Sequence, residues 1–179
     1  MRTRVTAAAL GAILVLALAG CSTPESPEPT PTPAFSSEAE VFAAAEATYR
    51  AYVDALNQVD LSDPETFEAV YELTTGEANS GARETFSQMH ADRWVVDGPT
   101  VVDLLEPSQT QPTSGYVEID VCLDVSQVTL VDSDGESVVA SDRRDVQSMR
   151  VALEPSPTNP TGFAISRIDG REDGPACAG

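Results

Sequence analysis

The sequence predicts an α+β domain, with N-terminal helices packed on one face of a curved antiparallel sheet of about four strands. Apolar residues recur at helical spacing up to Trp94 and at alternate positions beyond it. The alternating half is also punctuated by turn and loop signals, Asp132-Ser133-Asp134-Gly135 and EPSPTNPT, which separate strands in the manner of hairpins.

The first helix is expected over residues 37–58, where Phe42, Ala45, Tyr49, Tyr52, Val53 and Leu56 keep helical spacing. LSDPETFEAVYELTTG has the punctuation of a second. Asp63 is a plausible N-cap, Pro64 sits in the first turn, Glu65 suits the positive end of the dipole, and Gly76 can stop the helix. Its inner face would be Phe67, Val70, Tyr71 and Thr74. A third helix over residues 77–93 places Ala78, Ala82, Phe86 and Met89 on one side, with Gly81 as a weak point. Past Trp94, WVVDGPTVVDLLE reads as a strand interrupted at Gly98-Pro99, a bulge or an edge. GYVEIDVCLDVSQVTL is the clearest strand, with Val117, Ile119, Val121, Leu123 and Val125 on one face. VQSMRVAL and GFAISRID complete the set.

Ahead of the helices lies a different kind of sequence. Arg2 and Arg4 make a basic start, and residues 5–20 are apolar apart from Thr6. That run is shorter than the roughly 20 residues of a membrane span and has the build of a secretory signal. Leu18-Ala19-Gly20-Cys21 resembles the lipobox of bacterial lipoproteins. The resemblance implies cleavage before Cys21 and a diacylglycerol thioether on it, so that membrane lipid is the partner of Cys21. An ordinary secretory signal and an uncleaved anchor helix are the alternatives. Residues 22–36, STPESPEPTPTPAFS, cannot form a packed core. At about 3.1 Å per residue they make a polyproline-like spacer of up to roughly 45 Å. The expected organisation is a signal peptide over 1–20, a lipidated cysteine and Pro-rich linker over 21–36, and a single extracytoplasmic domain over 37–179.

Cleavage leaves 179 − 20 = 159 residues, enough for one domain with a real core. The formal charge of −19 includes the two signal arginines, so the mature chain carries −19 − 2 = −21. Such a balance repels phosphate backbones and argues against nucleic acid as a partner. Solubility is the plain reading of it; a cationic partner or metal ions are the functional ones. With Cys21 assigned to lipid, Cys122 and Cys177 remain, in a compartment that permits disulfides, and are expected to pair. A free catalytic thiol is the alternative, and the sequence offers no convincing base for it.

The order of helices and strands, with a strand cysteine and a terminal one, resembles the nuclear transport factor 2-like (cystatin-like) cone. More narrowly, LAGC, the Pro-rich spacer, VEIDVCLDVSQVTLVDSDGE and SRIDGREDGPAC resemble acidic lipoproteins of Gram-positive actinobacteria that carry such a domain. The resemblance implies a protein lipid-anchored on the extracytoplasmic face of the cell membrane. It implies no activity, because the fold serves isomerases, dehydratases, transport scaffolds and binding domains alike.

No Ser-His-Asp order, zinc spacing, phosphate loop or dinucleotide fingerprint is present, so neither a cofactor nor a metal centre is expected. Asp132-Ser133-Asp134-Gly135-Glu136 begins like a calcium loop but lacks the later ligands, and reads as a solvent-facing turn. His90 is the single histidine. It could be a base oriented by Asp92, but residues two apart on a helix do not face each other, and a last-turn histidine also complements the helix dipole. Tyr49, Asp54 and His90 are the groups a cone cavity would use, although aromatics at helical spacing are ordinarily core. Glu118, Asp120 and Asp124 share the second face of the long strand with Cys122, where Arg150 and Arg167 could answer them. That face reads either as solvated ion pairs or as an acidic surface for a basic partner. The expected function is therefore a non-catalytic interaction or accessory module with an envelope protein partner. The alternative is a small-molecule-binding or isomerase/dehydratase-like cone with a cavity between helices and sheet.

Overall fold

A computed structural model describes Phe35, residues 37–111 and 115–172, and Cys177, without the side chains of residues 109–111. The signal, Cys21 and nearly all of the spacer lie outside the described residues.

Helix α1 (Glu38–Leu56) starts where the Ser37 hydroxyl accepts a bond from the Glu40 amide at 3.2 Å. The single second helix read from the sequence is two short pieces, a 3-10 turn (Pro64–Phe67) and α2 (Glu68–Glu72). Asp63 does cap this segment, accepting from the Glu65 amide at 3.1 Å. Helix α2 ends before Gly76 because residues 73–75 leave it to hydrogen-bond the sheet. The Thr75 amide donates to the Ile165 carbonyl at 2.7 Å, and the Ile165 amide donates to the Leu73 carbonyl at 2.9 Å. Gly76, with φ +51°, becomes the first residue of α3 (Gly76–Ala91) instead of a stop.

The interruption at Gly98-Pro99 is a change of sheet. Strand β1 (Val95–Asp97) pairs antiparallel with β4 (Thr129–Val131) in a sheet of two. The main sheet is antiparallel in the order β2 (Val101–Gln111), β3 (Tyr116–Asp124), β5 (Val146–Pro155), β6 (Phe163–Gly170). The long strand read through residue 130 is likewise cut, since β3 ends at Asp124 and the chain turns before β4. Gly98 makes the sheet change feasible. Its φ is +89°, and a Cβ there would run into the Gln127 carbonyl. Pro107 falls on β2, an edge strand, at a register shift between Pro107 and Gln109.

Helix α1 lays Val41, Ala45, Tyr49 and Val53 against Val117, Ile119 and Val121 of β3. Burial of each large side chain there contributes about 1.5–3 kcal/mol. A second cluster, Leu61, Phe67, Val70, Tyr71 and Phe86, ties the short helices to α3, with the Phe67 and Phe86 rings 5.2 Å apart. Phe35, assigned by composition to the spacer, stacks on Phe163 at 5.1 Å, so the packed domain begins before residue 37.

Candidate functional site

Sequence alternation puts Glu118, Asp120 and Cys122 on the face of β3 turned away from α1, and the structure agrees. It differs in burial. All residues from Val117 to Leu123 are buried, Glu118 being 9% exposed and Asp120 5%. The chain's last segment provides part of the reason. The Arg171 amide donates to the Ser148 carbonyl at 3.0 Å, and Cys177 forms a disulfide with Cys122, Cα–Cα 5.5 Å. The Ser148 hydroxyl donates to the Cys177 Sγ at 2.9 Å.

Beside this strap, Arg171 together with Cys177, the carboxylates are answered by arginines. Asp120 accepts from Arg150 Nε at 2.9 Å and Nη2 at 3.3 Å, and Arg171 Nε lies 3.7 Å from it. Glu118 lies 3.6 Å from Arg167 and accepts the Tyr116 hydroxyl at 2.7 Å. Burial, followed by that bond to a carboxylate, pushes the Tyr116 phenol up to about 12. Asp124 stands apart at the end of the strand. It is partly exposed, accepts from the Ser126 amide at 2.8 Å, and is held below the usual carboxylate range by its bonds to the Ser126 side chain and amide. The three acids therefore do not form one open acidic surface. Two are buried ion-pair partners and the third closes a turn.

The groups considered for a cone cavity are also dispersed. Tyr49 is fully buried in the α1–sheet core, where its hydroxyl has no hydrogen-bond partner among the described residues. Burial, with Tyr52 beside it, drives its phenol far above the ordinary value. Asp54 is exposed on α1. His90 is exposed near the end of α3, its Nδ1 2.7 Å from the Leu61 carbonyl and its ring edge-on to Phe67. Asp92 does not orient it, because that carboxylate accepts from Gln88 Nε2 at 2.8 Å. His90 thus fastens α3 to the loop after α1. Asp132 Oδ1 accepts the amides of Asp134 and Glu136 at 2.9 and 3.0 Å, folding DSDGE into a turn. No group of three or more potential metal ligands is present among the described residues.

A site not anticipated from the sequence lies between α1, the 3-10 turn, α2 and the loop around Pro160. It is a groove of about 990 Å³. Asp54, Glu65 and Glu72 bring three carboxylates to its lining, which includes no lysine, arginine or histidine. None of the three is in an ion pair among the described residues, in contrast with Glu118 and Asp120. The sequence signal was limited to Asp54, because Glu65 reads as a helix-dipole residue and Glu72 as a solvated helix face.

No protein-family model and no curated protein matches the chain. Solved structures do match its fold. A protein of Novosphingobium aromaticivorans named as an aromatic ring hydroxylase aligns with a TM-score of 0.52 at 14% identity, over 74% of this chain and 89% of its own. The intermembrane space region of the chloroplast protein ARC6 aligns with a TM-score of 0.51 at 17% identity, over 72% of this chain and 95% of its own. At these identities the likeness shows the fold alone: three helices packed on antiparallel sheets of four and two strands. Among the described residues no helix is long and apolar enough to cross a membrane.

Proposed function

We propose that the chain is a lipid-anchored, extracytoplasmic binding module of the bacterial cell envelope, presenting the groove of Asp54, Glu65 and Glu72 to a basic segment of an envelope protein. The observation that carries this reading is the groove's charge. Where this chain buries carboxylates for structure it supplies arginines, and here three stand beside open space without a counter-ion among the described residues. A cationic partner completes such a surface and is steered to it over a distance of about a Debye length. The Cys122–Cys177 disulfide supports export to an oxidising compartment, and LAGC supports acylation of Cys21. The intermembrane space region of ARC6 is an example of this fold in a compartment outside the cytosol. The dispersal of Tyr49, Asp54 and His90 favours binding over a cavity reaction.

A photo-cross-linker at Ala69 in the groove, with one at the Gly135 turn as control, tests the binding surface in intact cells. The expected result is a discrete adduct from Ala69 alone, lost on combined Asp54→Lys, Glu65→Lys and Glu72→Lys substitution. Equal labelling from both positions, or an adduct indifferent to charge reversal, overturns the groove. The anchor is tested separately. Cys21→Ala is expected to release the protein or leave it unprocessed, and unchanged mass with full membrane retention refutes acylation.

A further inference from the structure

A second opening, distinct from the acidic groove, is apolar. It occupies about 370 Å³ between the ends of α1 and α3 and the β1–β4 sheet, within the roughly 300–1,000 Å³ typical of small-ligand sites. Leu56, Phe86, Met89, Val96 and Leu130 give it greasy walls, and no residue of β3, β5 or β6 lines it. The cavity is therefore not the space between α1 and the main sheet, which Tyr49, Ile119, Leu153 and Phe163 fill. One wall is stiffened by Asn57, whose amide donates to the Thr100 carbonyl at 2.9 Å while its Oδ1 accepts the Thr100 amide at 2.8 Å.

Arg143 is the single charged residue in this lining. Its Nη2 donates to the Val125 carbonyl at 3.0 Å and the Val128 carbonyl at 2.9 Å, which fixes the guanidinium in place. Nε and Nη1 then hold its remaining donors. Among the described residues, Arg143, Arg150 and Arg171 are the partly buried arginines. Arg150 and Arg171 share Asp120, whereas Arg143 has no carboxylate partner among the described residues. Asp142 and Asp145 flank it in sequence and neither pairs with it. In a chain with 29 acidic and 10 basic residues, a guanidinium fixed by main-chain carbonyls in an otherwise uncharged lining has the chemistry to receive an anionic group.

We propose that this cavity binds a small amphiphilic carboxylate, its apolar body among Leu56, Phe86, Met89 and Leu130 and its carboxylate on Arg143. Phenylbutanoate is a suitable probe, with phenylbutanol as its uncharged counterpart, titrated against the full chain with methyl and amide NMR shifts as readout. Saturable shifts at Met89, Val96 and Leu130 are expected, with phenylbutanol binding about tenfold more weakly, as loss of one charge-assisted bond implies. Arg143→Gln should weaken phenylbutanoate about tenfold and leave phenylbutanol unchanged. Because Arg143→Gln also disturbs the loop it braces, Ala140→Phe serves as a second variant that fills the cavity and retains the arginine; it should abolish binding of both probes. Equal affinity for the two probes, shifts scattered away from the cavity, no saturation, or unaltered binding in Ala140→Phe each overturns the proposal.

Discussion

At the scale of single residues, Asp120 and Gly98 are the positions where one atom group matters most. Asp120→Asn removes the carboxylate that Arg150 and Arg171 share beside the C-terminal strap. Breaking a buried pair from one side is costly, and a loss of about 3 kcal/mol is expected in urea unfolding at neutral pH. Glu106, opposite Asp120 on β2 but exposed, sets the contrast: Glu106→Gln should change stability by less than about 0.5 kcal/mol. Gly98→Ala combines a positive φ with a collision against the Gln127 carbonyl and should cost about 2 kcal/mol or more in the same measurement. Gly135 also has positive φ, yet a Cβ there meets open space, so Gly135→Ala should cost only about 1 kcal/mol. Sequence parity was enough to place Glu118 and Asp120 on one sheet face with Arg150 and Arg167. It could not show their burial, because part of the cover comes from Arg171 and Cys177, far along the chain.

Among the elements, α1, α3, β3, β5 and β6 were legible because each has a local period that its packing uses. The second helix was misread for a reason outside itself. Residues 73–75 gain main-chain bonds on the free edge of β6, and no local propensity reports that edge. The break at Gly98-Pro99 was visible, but the pairing of β1 with β4 depends on a contact between distant segments. The C-terminal strap is the element whose contribution is most easily measured. Its disulfide closes a separation of 55 residues, for which chain entropy predicts about 4 kcal/mol. The paired Cys122→Ser and Cys177→Ser variant should lose about that much and show faster hydrogen exchange at the Arg171 amide, which bonds Ser148 in the strapped form. Exchange that remains slow would mean that Arg171 holds the strap without the bridge.

For the whole molecule, the candidate site was less legible than the fold because the groove draws its carboxylates from three elements that no single period connects. Arg143 gave no signal either, since its sequence neighbours are charged and exposed. The chain's four tyrosines act together on alkaline stability. Tyr49, Tyr52, Tyr71 and Tyr116 all have phenols raised above the ordinary value, with burial the largest cause in each. The neutral phenol is the form the fold favours, so the unfolded chain loses its protons first as pH rises. This stabilisation is complete below about pH 10 and is lost above it. Between about pH 10 and the Tyr116 value of about 12, Tyr116→Phe should lose less stability than the parent chain. Denaturation followed alongside phenolate absorbance checks this. Identical alkaline slopes would exclude Tyr116 from the effect. The Phe35 stack on Phe163 has a consequence of a mechanical kind. Tension applied from the N-terminal side meets two flat rings before it reaches the cap of α1, and such a contact is worth only about 1 kcal/mol beyond its burial. The stack is thus a fuse that parts first under load, releasing Phe35 while the helix and the sheet stay intact.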